Sequence, residues 1–335
     1  MLNSASIRVW SIGGGKGGIG KSILTLGLGL VLSRLGRQVI LIDGDLGGAN
    51  LHTLLGVRYP AVTLEDFLQG KLKRLEDAVI PTAYEGLGLI CGADDILGSA
   101  NPTHSQKIKL LQEIADLPAD FVLLDLGAGT SFNILDLFNY SPGKIALCTA
   151  QTTSLQSSYG FIKAALYRKL SLEFAKQEEL FRLLAQIDRQ DAAASFTSLA
   201  QLLEKIRDFA PEIYFRIKRI LDDFQLFLVV NMVRAEGEER SPEIIRTVCS
   251  EYLRLRPQIL GTLDYDPVVE QAVNRTAPQL LLHGKSQAAA GLLQMAKRLL
   301  VLGRLSGRDY ALKTRENVEE RGLPPLVLLP GQTPS

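Results

Sequence analysis

The sequence is poor in the residues that build disulfide frameworks and metal clusters. It has 3 cysteines in 335 residues, Cys91, Cys148 and Cys249, and they form no Cys-x-x-Cys pair. Cysteines this far apart argue against an iron–sulfur or zinc site and against a disulfide-stabilised fold. We expect each of them to be a small core residue, because each lies in an apolar stretch.

An excess of charge of one sign is also missing, since 37 Lys and Arg residues balance 36 Asp and Glu residues to a net charge of +1. The overall charge therefore gives no support for DNA binding, and a local basic patch is left open. There is no run of about 18 uncharged apolar residues that could span a bilayer. The N-terminus also lacks the pattern of a secretory signal, so we expect the cytoplasm.

What the sequence does contain is a glycine-rich turn between an apolar run and a helix-like segment. Residues 7–12 are predominantly apolar, and residues 23–35 carry the helix pattern. Between them, Gly15, Gly20, Lys21 and Ser22 complete the phosphate-loop motif Gly-x-x-x-x-Gly-Lys-Ser. The strand–loop–helix order makes this motif specific.

The composition of this loop follows from its chemistry. Backbone N–H groups of residues 17–22 must point at phosphate oxygens, which needs dihedral angles and close approach that glycine tolerates best. The N-terminus of the helix adds its positive dipole end. Lys21 is then expected to neutralise the β- and γ-phosphates, and the Ser22 hydroxyl to bind Mg²⁺.

Aspartates follow two further apolar runs. Residues 38–42 form a short buried-strand pattern that ends at Asp43, with Asp45 and Asn50 shortly after it. Residues 121–124 run into Asp125, which is the Walker B pattern whose carboxylate holds Mg²⁺ through water. Carboxylates at the ends of parallel strands lie where ligands bind in open α/β sheets, and their oxygens suit Mg²⁺.

One lysine goes beyond the general motif. Lys16 follows Gly15, and Lys-Gly-Gly-Ile-Gly-Lys-Ser resembles the deviant phosphate loop of the ParA/MinD class of ATPases. The run that starts at Asp43 resembles the first switch of that family, and Asp-Leu-Gly-Ala-Gly from Asp125 resembles the second switch of the MinD and FlhG branch. The resemblance implies that Lys16 reaches the nucleotide of a partner subunit, that Asp45 orients the attacking water and that Asp43 supports the metal shell.

The resemblance extends to the base end of the nucleotide. Asn231, at the end of the apolar run 227–230, is similar to an adenine-contacting residue, and residues 264–269 resemble a Pro-x-Asp-x-x-Val segment in which Asp266 matches the aspartate. This sequence departs from the family pattern with Asp264 in place of that proline, and with Gln151-Thr152 in place of a Glu-Pro pair. The expected nucleotide-binding residues are Gly15, Lys16, Gly17, Gly18, Ile19, Gly20, Lys21, Ser22, Ile23, Asn231 and Asp266; the expected metal-binding residues are Ser22, Asp43 and Asp125.

The predicted organisation is one ATPase domain over residues 1–305 with a helical insertion at 171–224, followed by a weakly ordered tail at 306–335. Apolar residues recur at helical spacing in three parts of the insertion. Two interpretations are open: the insertion packs its apolar stripes on the domain, or it is a docking surface. The final helix, about residues 286–305, is likewise either the last packing helix or a membrane-binding amphipathic helix.

The sequence therefore predicts a doubly wound, mostly parallel α/β sheet that binds ATP and Mg²⁺. By resemblance, two copies form a homodimer around two nucleotides, catalysis depends on Lys16, Lys21 and Asp45, and slow hydrolysis times the localisation of a protein partner or cargo, with peripheral membrane contact as one option. Alternatives are a plasmid-partition ATPase that binds DNA non-specifically and an ATP-dependent amide-forming synthetase. A metal-cluster carrier on the same scaffold needs paired cysteines, which are absent.

Overall fold

The computed structural model of the chain describes residues 8–45, 48–92, 103–175, 198–283 and 286–306. Within these ranges strands and helices alternate. The strands are β1 (Arg8–Gly14), β2 (Val39–Gly44), β3 (Ile80–Pro81), β4 (Leu87–Ile90), β5 (Phe121–Ala128), β6 (Gly143–Thr149), β7 (Leu226–Val233) and β8 (Gln258–Asp264).

The helices flank these strands. They are α1 (Lys21–Arg34), α2 (Leu51–Leu54), α3 (Leu64–Leu68), α4 (His104–Ala115), α5 (Phe132–Tyr140), α6 (Thr152–Glu173), α7 (Leu199–Phe209), α8 (Pro211–Asp222), α9 (Ser241–Leu253), α10 (Pro267–Asn274) and α11 (Gln287–Ser306). Short 3₁₀ helices cover Leu75–Ala78, Glu238–Arg240 and Pro278–Leu282.

The strands form one sheet in the order β3-β4-β2-β5-β1-β6-β7-β8. Neighbours are parallel except β3, which runs antiparallel to β4. The chain first builds the side of the sheet that holds β2 to β5, and then crosses β1 to build β6, β7 and β8. The carboxyl end of β1 is therefore the point where strand order reverses, which is the usual ligand site of such sheets. The prediction of a doubly wound, mostly parallel sheet is confirmed.

Apolar side chains cover both faces of the sheet, as a parallel sheet requires. One layer packs α3 to α9 against side chains such as Ile40, Val122 and Leu124. The other packs α1, α10 and α11 against Ile12, Leu41 and Leu123. The buried-strand runs of the sequence are continuous because alternate residues serve the two layers.

The insertion contributes helices to the first of these layers. Apolar side chains of α7 and α8 are buried there, among them Leu199, Leu202 and Ile217. Arg216 on α8 contacts the Glu173 carboxylate at the C-terminal end of α6, with an N–O distance of 3.3 Å. The packing interpretation is confirmed for these two helices; the first predicted stripe, Leu180, Leu183, Leu184 and Ile187, lies outside the described residues. The domain boundaries themselves stay a prediction.

The last helix, α11, packs against α1 and β8 through Leu292, Met295, Ala296 and Leu299. The interpretation of this segment as the final packing helix is confirmed. Residues 307–335, which make up nearly all of the predicted tail, lie outside the described residues. Across the described ranges, no helix combines the length and apolarity needed to cross a membrane.

Candidate functional site

The phosphate loop joins β1 to α1 at the carboxyl end of the central strand. Gly18 and Gly20 have φ angles of +72° and +91°, in the left-handed region that side chains with a Cβ rarely adopt. Because α1 begins at Lys21, the N–H groups of its first turn have no partner within the helix. The loop and helix together present a set of backbone donors that suits a phosphate group.

Neighbouring elements clamp this loop from two sides. A Cβ added to Gly15 would lie 2.3 Å from the Ser157 carbonyl oxygen on α6. A Cβ added to Gly20 would lie 2.3 Å from the Asn231 side-chain nitrogen on β7. Backbone contact therefore requires glycine at position 15, whereas position 20 requires glycine because of its φ of +91°, with the Asn231 amide in the space of a Cβ.

The Lys21 side chain folds back over the loop. Its Nζ donates to the Lys16 carbonyl oxygen at 3.2 Å, and the residue is 8% exposed. Burial lowers the pKa of Lys21, while the carboxylates of Asp125 and Asp45 oppose that change. The ammonium group thus lies against the phosphate loop and within the field of two carboxylates.

Asp125 lies beside the loop because of the register of the central strands. It pairs with Ile12 of β1 on one side and with Asp43 of β2 on the other. Its carboxylate accepts a hydrogen bond from the Ser22 hydroxyl, and Thr25 Oγ1 lies 3.4 Å from Oδ1. The sheet therefore brings together Ser22 and Asp125, which the sequence predicted as a metal-binding pair.

Burial raises the pKa of Asp125 to about 7. That value is the balance of all the local effects: the neighbouring carboxylates of Asp43 and Asp45 also act to raise the pKa, whereas the Ser22 hydrogen bond and the Lys21 ammonium act to lower it. A carboxylate that is held at this cost gains from a nearby cation. The local electrostatics therefore favour a positive ion next to Asp125.

Asp43 holds the first switch segment through backbone hydrogen bonds. Its Oδ1 accepts from the Asp45 N–H at 3.2 Å, and its Oδ2 accepts from the N–H groups of Asn50 and Leu51 at 2.9 and 3.0 Å. Burial raises the pKa of Asp43, and these hydrogen bonds oppose the rise. In this arrangement Asp43 fixes the position of Asp45 and starts α2.

The Asp45 carboxylate lies against the end of β5. A Cβ added to Gly127 would be 2.8 Å from Asp45 Oδ1, so the glycine leaves the space that this carboxylate occupies. Asp45 thus lies close to Asp125 and Lys21, as its electrostatic effect on both residues also indicates. The predicted catalytic residues Lys21 and Asp45 therefore lie together with the predicted metal-binding residues at the carboxyl ends of the central strands.

The donor set suits Mg²⁺ when phosphate oxygens complete it. Among the described residues no group of three or more His, Cys, Asp or Glu side chains could hold a metal by itself. Mg²⁺ in nucleotide sites commonly takes only one or two protein oxygens, with phosphates and water supplying the others. Ser22 and Asp125 fit that requirement, with Asp43 beside them.

Asn231 reaches the phosphate loop. Its Nδ2 donates to the Ile19 carbonyl oxygen at 2.8 Å, and its Oδ1 accepts from the Met232 N–H at 2.9 Å. This contact links residues 212 positions apart and has no signal in the sequence. The predicted adenine contact of Asn231 stays a prediction.

Asp266 joins the N-termini of two helices. Its Oδ1 accepts from the Val268 N–H of α10 at 2.9 Å, and its Oδ2 accepts from Ser286 Oγ at 2.7 Å, just before α11. Burial alone would raise the pKa of Asp266, but these hydrogen bonds lower it below its ordinary value. Its predicted place beside the base stays a prediction; Ile23, also in the predicted set, lies in the first turn of α1 and packs on the apolar layer below it.

An open cavity of about 570 Å³ lies at the carboxyl ends of β7 and β8. Arg234, Asp264, Tyr265 and Gln287 line part of it. The Arg234 guanidinium lies 3.9 Å from the centroid of the Tyr265 ring. The cavity begins two residues beyond Asn231 and combines a planar cation, an aromatic ring and a carboxylate, so it has room and polar groups for a nucleotide base.

Comparison with known families and proteins agrees with this geometry. The family model described as "CobQ/CobB/MinD/ParA nucleotide binding domain" matches residues 10–279. The antiactivator FleN of Pseudomonas aeruginosa is 27% identical over 208 residues, which cover 61% of this chain and 71% of FleN. A putative septum site-determining protein MinD of Chlorella vulgaris is 31% identical over 153 residues, which cover 45% of this chain and about half, 54%, of that relative.

Solved structures share the fold at lower identity. The septum site-determining protein MinD from Pyrococcus horikoshii, solved with Mg-ADP, superposes with a TM-score of 0.61 at 20% identity and covers 90% of this chain and 99% of that one. At this identity the likeness concerns the fold, and it extends over nearly all of the solved chain.

Proposed function

The chain belongs to the CobQ/CobB/MinD/ParA nucleotide-binding family, as a ParA/MinD-class ATPase near the FlhG/MinD branch, and we propose that it is a nucleotide-dependent dimer switch. In this proposal it binds Mg-ATP, closes into a homodimer around two nucleotides and hydrolyses ATP slowly. The switch controls the localisation or number of a cellular structure by holding a protein partner only in the ATP state. FleN and MinD, which are named for antiactivation and septum-site determination, support this class of role.

One observation carries the proposal: the phosphate loop, Asp45 and Asp125 lie at a single sheet edge. The N–H groups of the loop and the Lys21 ammonium are placed to bind the phosphates and to balance negative charge that develops on them. Ser22 and Asp125 would hold Mg²⁺, which supplies further charge neutralisation when bound. Asp45 would orient the attacking water, and its backbone is fixed by the hydrogen bond to Asp43.

Lys16 supplies the dimer part of the proposal. It lies in the loop with its side chain half-buried, whereas its carbonyl oxygen accepts from Lys21. We assign Lys21 to the nucleotide of its own subunit and Lys16 to the nucleotide of the partner. Because Lys16 then completes the other subunit's site, dimerisation and hydrolysis depend on each other.

Light scattering with Mg-ATP tests this assignment in three proteins. Wild type should dimerise transiently, Asp45→Ala should remain dimeric because hydrolysis stalls, and Lys16→Ala should remain monomeric. Phosphate release measured in parallel should be low in both variants. If all three proteins stay monomeric at high concentration with saturating nucleotide, the dimer switch is refuted.

We also propose that the dimer associates with a surface, either a membrane or nucleoid DNA, and two binding experiments distinguish these. Sedimentation with anionic vesicles in the presence of ATP tests the membrane, and binding to non-specific DNA at rising salt tests the nucleoid, since electrostatic DNA binding weakens steeply with salt. Among the described residues the three cysteines are each buried in the core, which gives no support to a metal-cluster carrier.

A further inference from the structure

Both the nitrogen and the oxygen of the Asn231 side-chain amide form hydrogen bonds with backbone groups. The donor binds the Ile19 oxygen and the acceptor binds the Met232 N–H, and the residue is 8% exposed. We propose that Asn231 is a positioning residue for the phosphate loop, in that it sets the orientation of the Ile19–Gly20 peptide. The proposal rests on the proposed function, because it concerns how the loop is shaped to receive a triphosphate.

The physical basis is the planarity of the peptide bond. The Ile19 oxygen and the Gly20 N–H belong to one trans peptide, in which C=O and N–H point in opposite directions. Holding the oxygen toward β7 therefore fixes the N–H so that it points away from β7. Phosphate loops work because successive N–H groups converge on the same oxygens, so the direction of this one donor matters for affinity.

The surroundings of Asn231 leave this peptide little alternative. Gly20 adopts a φ of +91°, and the Asn231 nitrogen occupies the space where a Cβ would lie, at 2.3 Å. Met232 has a φ of +59°, which is costly for a residue with a side chain and is stabilised here by the hydrogen bond to Asn231 Oδ1. One amide thus supports a strained turn after β7 and the loop before α1.

This role predicts a different ligand dependence from a contact with the base. A residue that touches only adenine contributes to ATP binding and contributes nothing to binding of inorganic tripolyphosphate. A residue that shapes the loop contributes equally to both ligands. Titration calorimetry of Asn231→Ala with Mg-ATP and with Mg-tripolyphosphate separates the two roles, with Asn139→Ala as the control because Asn139 Nδ2 donates to the Ala165 oxygen at the same 2.8 Å, away from the loop.

We expect Asn231→Ala to lower the affinities for Mg-ATP and for Mg-tripolyphosphate by about tenfold each, which is about 1.4 kcal/mol. Asn139→Ala should leave both affinities unchanged. Asn231→Asp keeps the shape of the side chain but loses its N–H donor, so its affinities for both ligands should be no higher than those of Asn231→Ala. Loss of ATP affinity with unchanged tripolyphosphate affinity would overturn the positioning role, and so would an equal loss in both alanine variants. A wild-type protein that binds neither ligand would instead refute the proposed function together with this inference.

Discussion

Replacing Lys144 by methionine should stabilise the protein, and most strongly at low pH. Lys144 is the second residue of β6, a strand buried along its whole length, and is 2% exposed. Its Nζ donates to the Ser141 oxygen at 2.6 Å and lies 5.2 Å from the centroid of the Phe224 ring. Burial, and then the nearby ammonium of Lys169, lower the pKa of Lys144 well below its ordinary value of 10.5. The folded chain therefore holds this proton less tightly than the unfolded chain.

The sign and size of the effect follow from that difference. Where both forms are charged, each unit by which folding lowers the pKa costs about 1.4 kcal/mol of stability. Between the lowered pKa and 10.5 the unfolded chain binds more protons, so the free energy of unfolding of the wild type rises with pH. Methionine keeps most of the volume without the charge. Replacing buried ion pairs by apolar residues of similar volume is often neutral or stabilises by about 1–4 kcal/mol, and we expect a gain within that range for Lys144→Met at low pH.

Urea unfolding measured at pH 6 and pH 10 tests this prediction. The chain has a single tryptophan, Trp10, which is buried against Phe227 and reports unfolding by fluorescence. Lys163→Met is the control, since that half-buried lysine lies on α6 with its Nζ 5.4 Å from the centroid of the Tyr167 ring. A Lys144→Met protein that is less stable than wild type at pH 6, or that shows the same gain at both pH values, would refute the reasoning.

Three further predictions concern the first switch segment, the hydrogen bonds of Asp266 at the N-termini of two helices, and the buried thiols. Gly127→Ala should displace Asp45, whose Oδ1 would lie 2.8 Å from the new Cβ. We therefore expect the rate of phosphate release from ATP to fall by about tenfold or more, while the nucleotide affinity measured by titration calorimetry changes little. Asp266→Ala should lower the free energy of unfolding by about 1–2 kcal/mol in urea titration, because it removes an N-cap, and a loss below a few tenths of a kcal/mol would contradict this role. Burial raises the pKa of the Cys148 and Cys249 thiols to about 12, so neither should react with a disulfide reagent at pH 8 until the protein unfolds, and fast labelling of native protein would contradict that placement.

Much of the sheet could be predicted because buried parallel strands are short, continuous apolar runs. The runs before Asp43 and Asp125 gave adjacent strands, and their register alone places the two carboxylates side by side. The edge strand Ile80–Pro81 has no such apolar run, because it is only two residues long and follows directly on a 3₁₀ helix that ends at Ala78, in which the Asp77 carboxylate accepts the Arg74 N–H.

The contacts that complete the site could not be predicted from local sequence. The hydrogen bond between Asn231 and Ile19 depends on how β7 lies beside the loop, and the fit of Asp45 against Gly127 depends on how two switch segments meet. Both are long-range packing events, and asparagine or glycine at a strand end has many other uses. The motifs indicated which residues take part, whereas the fold determined which partner each one contacts.

Helix α6 links the phosphate loop, through the tight contact at Gly15, to the helical insertion. Its 22 residues span about 33 Å, with Ser157 near one end against the loop and Glu173 at the other end against Arg216 of the insertion. The same helix therefore contacts the loop where the phosphates would lie and the insertion, at opposite ends. We expect a substitution that displaces α6 at one end to change both nucleotide affinity and the packing of the insertion.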